Sequence, residues 1–212
     1  MTKFKTIRNY LIFVIGIFFM GLGVSLVTKS NLGTSPISSV PYVLSMIFPI
    51  TIGQCTFLLS LLFLLAQIMI LQKNFPKKQL LQVFVGPFFG LFIDLGMTIF
   101  QFVNPDFYVE KLIVLLLGCI VLALGIHLQI AANVIVNPGE GVVKTIAHKT
   151  NREFGIIKII LDSTLVLIAL VISSLAFKTI KGLREGTIIS AILVGYITKI
   201  FSNIFKRFNF EH

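Results

Sequence analysis

Four groups of residues in this chain could do chemistry in an apolar setting. The first runs from Asn133 to Gly141 and centres on Asn137-Pro138-Gly139-Glu140-Gly141, a polar stretch between two long apolar runs. Asn137 is an N-cap residue type, Pro138 suits the first helical position, and Glu140 stands three residues after the cap. That spacing lets the carboxylate close a capping box on the Asn137 backbone N–H. It also permits a functional reading, because a helix start offers free N–H groups and the positive end of a dipole. Such an end suits an anionic or zwitterionic solute, while Glu140 attracts a cation or an ammonium group.

A weaker copy stands earlier, at Asn31-Leu32-Gly33-Thr34-Ser35-Pro36, where Ser35 and Pro36 take the cap and first-turn positions. The two stretches are related by an offset of 102 residues, which also superposes Gly125 on Gly23, Asn133 on Asn31 and Gly155 on Gly53. The chain reads as one unit written twice, residues 1–102 and 103–212. Ser35, Pro36, Asn137, Pro138 and Glu140 are the expected substrate-binding residues, at the interface of the two copies.

Asp94 is the second group. A carboxylate in an apolar span costs several kcal/mol unless it is paired or hydrated, so it faces a cavity or a partner helix. Gly86, Gly90 and Asp94 recur every four residues and share one helix face. The bland role for Asp94 is a hydrogen bond to a neighbouring helix end, and the functional one is a coupling-ion or proton site. The third group is Lys158 and Asp162, four apart and able to pair with each other. The fourth is His127, which aligns with Ser25; a lone histidine in a span is more often a helix–helix hydrogen bond than a ligand, although it titrates near neutral pH.

These residues need elements to hold them, and the composition says of what kind. With 56% hydrophobic and 12% charged residues, the chain departs from soluble domains, of which about a quarter is charged. Its apolar runs approach or exceed the roughly 20 residues a bilayer demands of a helix. Continuous rather than alternating apolarity excludes an outer-membrane barrel. The expected fold is an all-α polytopic membrane protein in contact with the lipid bilayer. Its spans fall at about 10–27, 52–71, 80–100, 112–130, 154–175 and 186–204.

Two shorter apolar segments, about 37–48 and 139–148, follow the two polar stretches and read as half-helices that do not cross. Three spans per copy is an odd number, so the copies insert upside down relative to each other, a recurring transporter plan. Twelve Lys and Arg residues, among them Lys3, Lys5, Arg8, Lys73, Lys77, Lys78, Lys206 and Arg207, then fall on the side of both termini, which the positive-inside rule makes cytoplasmic. Lys178, Lys181 and Arg184 fall on the other side, against that rule. The basic N-terminus looks like a signal peptide, but its apolar run is too long and no small-x-small cleavage site follows, so it reads as a retained first span.

The net charge of +10 therefore has a topological explanation, and no nucleic-acid partner is expected. Cys55 and Cys119 lie in spans without metal-ligand spacing, and His148 and His212 lie in a loop and in the tail. No metal site, cofactor or enzymatic constellation is expected. The small residues Gly16, Gly21 and Gly23, and Gly186, Thr187, Ser190, Ala191 and Gly195, allow close helix contacts within one chain or in a homodimer.

Several of these residues also carry a resemblance. Gly23-Val-Ser-Leu, Asn31-Leu-Gly-Thr-Ser-Pro36, Ile52-Gly53 and Gly86-Pro-Phe-Phe-Gly-Leu-Phe-Ile-Asp94 come in order, followed by Gly125, Asn137-Pro138, Gly186-Thr187 and Gly195. This order resembles the YczE/YyaS/YitT family of bacterial membrane proteins over about residues 10–204. The resemblance implies a bacterial plasma-membrane location and a transporter or permease role, without a substrate. It further implies an acidic residue two after each proline, a position filled here by Glu140 and by Ser38, and a proline after the last glycine, where this chain has Tyr196. The leading expectation is a small-solute permease. A substrate-capture subunit of an ATP-driven importer and a non-transporting membrane regulator or scaffold are the alternatives.

Overall fold

The computed structural model describes residues 2–207, with side chains over 7–205. The side chains of Lys3, Lys5, Lys206 and Arg207, and His212 as a whole, lie outside the described residues.

The described residues form eight α-helices: α1 (Thr2–Lys29), α2 (Ser39–Ile47), α3 (Ile52–Leu71), α4 (Gln82–Ile99), α5 (Tyr108–Ala132), α6 (Pro138–Thr150), α7 (Phe154–Phe177) and α8 (Glu185–Arg207). A 3₁₀ turn at Pro36–Ser38 leads into α2. Six of the helices are long and apolar enough to span a bilayer, as the run lengths require. The protein is a polytopic helical membrane protein. The two short helices, α2 and α6, cover about 14 and 20 Å at 1.5 Å per residue, against a hydrocarbon core of about 30 Å.

The asparagines of the polar stretches stop the helices before them. Asn31 and Asn133 both take left-handed backbone conformations, with φ of 58° and 48°. Asparagine tolerates that region better than other side chains, so it ends a helix and turns the chain back.

A close crossing of α1 and α5 forms the centre of the core. Gly16 lies against Gly125 and the Gln129 backbone, Gly23 against Leu122, Gly118 against Val27, and Gly125 against Met20. Without side chains at these points the backbones touch, and around them Phe13, Ile17, Val24, Leu115, Cys119 and Ala123 are buried. Helix α4 packs on α1, α8 on α5, and α3 on α4. The short α6 packs on α3 and α7, and the short α2 on α3 and α7.

The short helices point to opposite faces. Tyr42 and Met46 of α2 lie under Gly182 in the α7–α8 connection, and α2 runs out at the face where α3 begins. At the far end of α6, Lys149 Nζ donates to the Ile70 carbonyl, where α3 finishes. Both helices therefore start inside the bundle and run outward.

A buried amide network fixes the start of α6. Gln67 Nε2 donates to the carbonyls of Phe63 and Pro138, both at 3.2 Å, and to Gln82 Oε1 at 2.9 Å. Gln82 Nε2 donates in turn to Gln67 and to Gln79. Gly141 leaves the space for it, since a Cβ there would overlap Gln67. Replacing Gln67 with Leu leaves the Gln82 amide and the Pro138 carbonyl without this partner, a cost of about 1–3 kcal/mol per stranded group. Thermal unfolding in detergent is expected to show the corresponding drop in midpoint.

Candidate functional site

Both polar stretches meet at one cavity of about 1210 Å³. Ser35, Pro36 and Ile37 contribute one wall, Val134 to Asn137 with Glu140 another, and α7 and α8 the rest. The lining is mainly apolar, with Met20, Val24, Phe89, Leu122 and Ile126 from the central helices. An apolar hollow with few polar groups is the usual form of a small-molecule site.

The capping expectation for Asn137 is corrected in its detail. Asn137 Oδ1 accepts from the Gly139 N–H at 3.3 Å, and the Glu140 side chain does not return to the Asn137 backbone. With the cap made two residues on, the Glu140 carboxylate is free to face the cavity. Among the described residues it has neither a hydrogen bond nor an ion pair. Ser35 likewise makes no side-chain cap; its hydroxyl donates to Ser38 Oγ at 3.0 Å.

Lys158 and Asp162 line the same cavity, and here the i,i+4 expectation is met. Lys158 Nζ donates to both Asp162 oxygens, at 2.7 and 2.8 Å. Both charges of the pair act on Glu140, yet the ammonium is already committed. Because the pair is part-buried, breaking it is worse than removing it. Lys158→Met is expected to lower the unfolding midpoint more than the double variant Lys158→Met/Asp162→Leu, and a double-mutant cycle isolates the coupling.

The structure does not bring every candidate to this place. Pro138 is fully buried beneath the α6 start and does not line the cavity. His127 is buried between α5 and α8, its ring 4.7 Å from that of Phe205. Asp94 lies elsewhere, at the start of α3. Its Oδ2 accepts from the Thr51 hydroxyl at 2.6 Å and its Oδ1 from the Gly53 N–H at 2.9 Å. Thr51 also caps α3 with Gln54 in a reciprocal box. Gly90 lies against Gly53 and Gly86 against Ser60, so the face shared by Gly86, Gly90 and Asp94 is the α3–α4 seam.

The counterpart of that seam is different. No packed seam joins α7 and α8. A Cβ added at Gly155 or at Gly195 would meet nothing within 4 Å. The gap between them is the cavity itself, which runs toward Gln79, Lys144 and Phe154 at the end where α3 finishes and α7 begins. At its other end the top of α8 is stitched to the first polar stretch. Gly186 N–H donates to the Leu32 carbonyl at 2.8 Å, and Thr187 Oγ1 accepts from the Thr34 N–H at 3.2 Å. Ser190 Oγ reaches the Thr34 carbonyl at 3.4 Å. Gly33, at φ 122°, allows this approach, because any Cβ would strike Thr187.

One lining residue is not singled out by sequence reasoning. Gln129 is 3% exposed, and its Oε1 has no hydrogen-bond partner among the described residues. A glutamine inside an apolar run carries no charge to draw attention, and only the fold shows that it borders the hollow. Gln67 and Gln82 escape notice for the same reason.

Comparison with known proteins places the chain in a family. The chain is 26% identical over 200 residues, 94% of each chain, to "Uncharacterized protein YyaS" of Bacillus subtilis (strain 168). No solved structure matches it. The model of the family described as "Family of unknown function (DUF6198)" matches residues 7–203. With nearly the whole length matched, from the first span to the last, the protein belongs to the DUF6198 family.

Proposed function

We propose that this protein is a small-solute permease of the bacterial plasma membrane, with both termini cytoplasmic. The observation that carries the reading is the cavity where two half-helix starts converge, closed at one end and open toward the other. Half-helix termini at the centre of a bundle, placed by two oppositely oriented repeats, are a transporter arrangement.

The glycine contacts support two repeats related by a two-fold axis. Under the offset of 102 residues, the contact of Gly16 with Gln129 becomes that of Gly118 with Val27. The contact of Gly23 with Leu122 becomes that of Gly125 with Met20. Each contact is exchanged for the other, as a two-fold axis through the α1–α5 crossing requires.

The same relation suggests the mechanism. The α3–α4 seam is closed, with Asp94 holding the start of α3, while its counterpart between α7 and α8 is parted. Exchanging the two arrangements closes α7 on α8 and parts α3 from α4, which presents the cavity to the opposite face. Asp94 then serves the cycle as the latch of the outer seam, where a proton or a cation competes with Thr51 and Gly53 for its oxygens. Glu140 and the half-helix starts hold the solute.

The test is thermal unfolding of the detergent-purified protein against anionic, zwitterionic and cationic metabolites, then vesicle flux for any stabilising compound. A ligand of the folded state raises the midpoint in proportion to the logarithm of its concentration. The permease reading expects a stabilising solute that is carried across vesicles, with both effects lost in Glu140→Gln. Stabilisation without flux points to a capture subunit, and the absence of any ligand at millimolar concentration points to a regulator or scaffold.

A further inference from the structure

The cavity has a charge balance that narrows its ligand. Glu140 sits in the first turn of α6, where the helix dipole favours a carboxylate. Its helix does not use it as a cap, and no described side chain pairs with it. Of the two lysines at the cavity, Lys158 spends its hydrogen bonds on Asp162. Lys144, one turn further along α6, is exposed and lies beyond ion-pair distance of Glu140. The hollow thus holds one neutral ion pair, a cation at its rim and a carboxylate with no counter-ion.

Gln129 gives an independent indication. Its buried Oε1 has no hydrogen-bond partner among the described residues, and such groups mark places where something else supplies the bond. Gln129 is among the residues of α5 that line the same hollow. The remaining wall is mainly hydrocarbon, and it continues to the parted seam of α7 and α8, where Ile159, Leu167, Ile188 and Ile192 are exposed.

We infer that the cavity takes an organic ammonium: a cationic head bearing N–H groups, on an apolar body that lies along the α7–α8 gap. This rests on the permease reading, whose substrate class it names. The head donates to Glu140, which a purely anionic solute would oppose, and Gln129 exchanges a hydrogen bond with a polar substituent. Hydrocarbon walls replace water around the body, and the open seam gives the ligand a route from the lipid phase.

The experiment uses three probes of one shape: hexylamine, hexanol and hexanoate. Thermal unfolding of the full-length protein in detergent is followed against each, at a pH where the amine is protonated. Hexylammonium is expected to raise the midpoint in a concentration-dependent way, and hexanol and hexanoate are not. Glu140→Gln is expected to weaken the apparent affinity at least about tenfold, the value of one charge-assisted hydrogen bond. Glu140→Asp, which keeps the charge and withdraws it, is expected to weaken it by less and guards against a variant that fails to fold. Lys144→Gln is expected to leave the hexylammonium effect in place. Preferential stabilisation by hexanoate, or an equal hexylammonium effect on the Glu140 variants, overturns the ammonium class while leaving a permease of other specificity standing. Hexylammonium that binds through Glu140 but does not cross vesicles overturns the permease and leaves the site.

Discussion

Gly23→Ala is expected to cost about 3 kcal/mol or more, the upper part of the range for overpacking a rigid core, and to remove most of the folded monomer from gel filtration in detergent. The reason is local and geometric. A Cβ at residue 23 would sit 2.6 Å from Leu122 Cβ and closer still to the Leu122 backbone. Backbone cannot swing aside as a side-chain tip can, so α1 and α5 must part along the crossing on which the core is built. In a bilayer no hydrophobic force holds helices together, and close van der Waals contact takes its place. Gly195→Ala supplies the control, because its Cβ meets nothing within 4 Å. An exposed helical glycine loses nothing on gaining a methyl and gains up to about 1 kcal/mol of helix propensity. Equal midpoints for the two variants would refute the assignment of the α1–α5 crossing as the structural centre.

Asp94→Ala is expected to loosen the α3–α4 seam without unfolding the protein. Two hydrogen bonds to a carboxylate are lost, each worth about 1.5–3 kcal/mol, and about 3 kcal/mol is more than a hundredfold in an equilibrium between closed and parted seams. The chain carries its own reporters. Cys55, buried one turn into α3, is near enough to feel the Asp94 charge, whereas Cys119 is fully buried in the core at the α1–α5 crossing. Maleimide labelling of Cys55 is expected to accelerate in Asp94→Ala while Cys119 stays protected. Asp94→Asn, which can still accept from the Gly53 N–H, is expected to fall between. If both cysteines react faster together, Asp94 holds the fold as a whole and the latch reading is wrong.

The spans of this protein were legible in its sequence because a bilayer sets one length and excludes charge, so each long apolar run has one reading. Helical period alone placed Gly86, Gly90 and Asp94 on one face, and paired Lys158 with Asp162. Asn31 and Asn133 stood out only as the starts of the two polar stretches; that their left-handed backbones end α1 and α5 came from the fold. Of the five residues that the offset between the two polar stretches singles out, Ser35, Pro36, Asn137 and Glu140 line the cavity and Pro138 does not.

What the shared face of a helix would meet was settled only by the tertiary structure. Asp94, the sharpest residue in the sequence, binds a helix start instead of lining the cavity. Gln129, an ordinary uncharged residue in an apolar run, borders it. The small residues of α8 look in sequence like those of α4, yet α4 closes on α3 and α8 stands away from α7. Spacing determines which residues lie side by side on one helix. Which neighbour covers that side is a long-range property of packing, and in this chain that choice separates a closed seam from an open one.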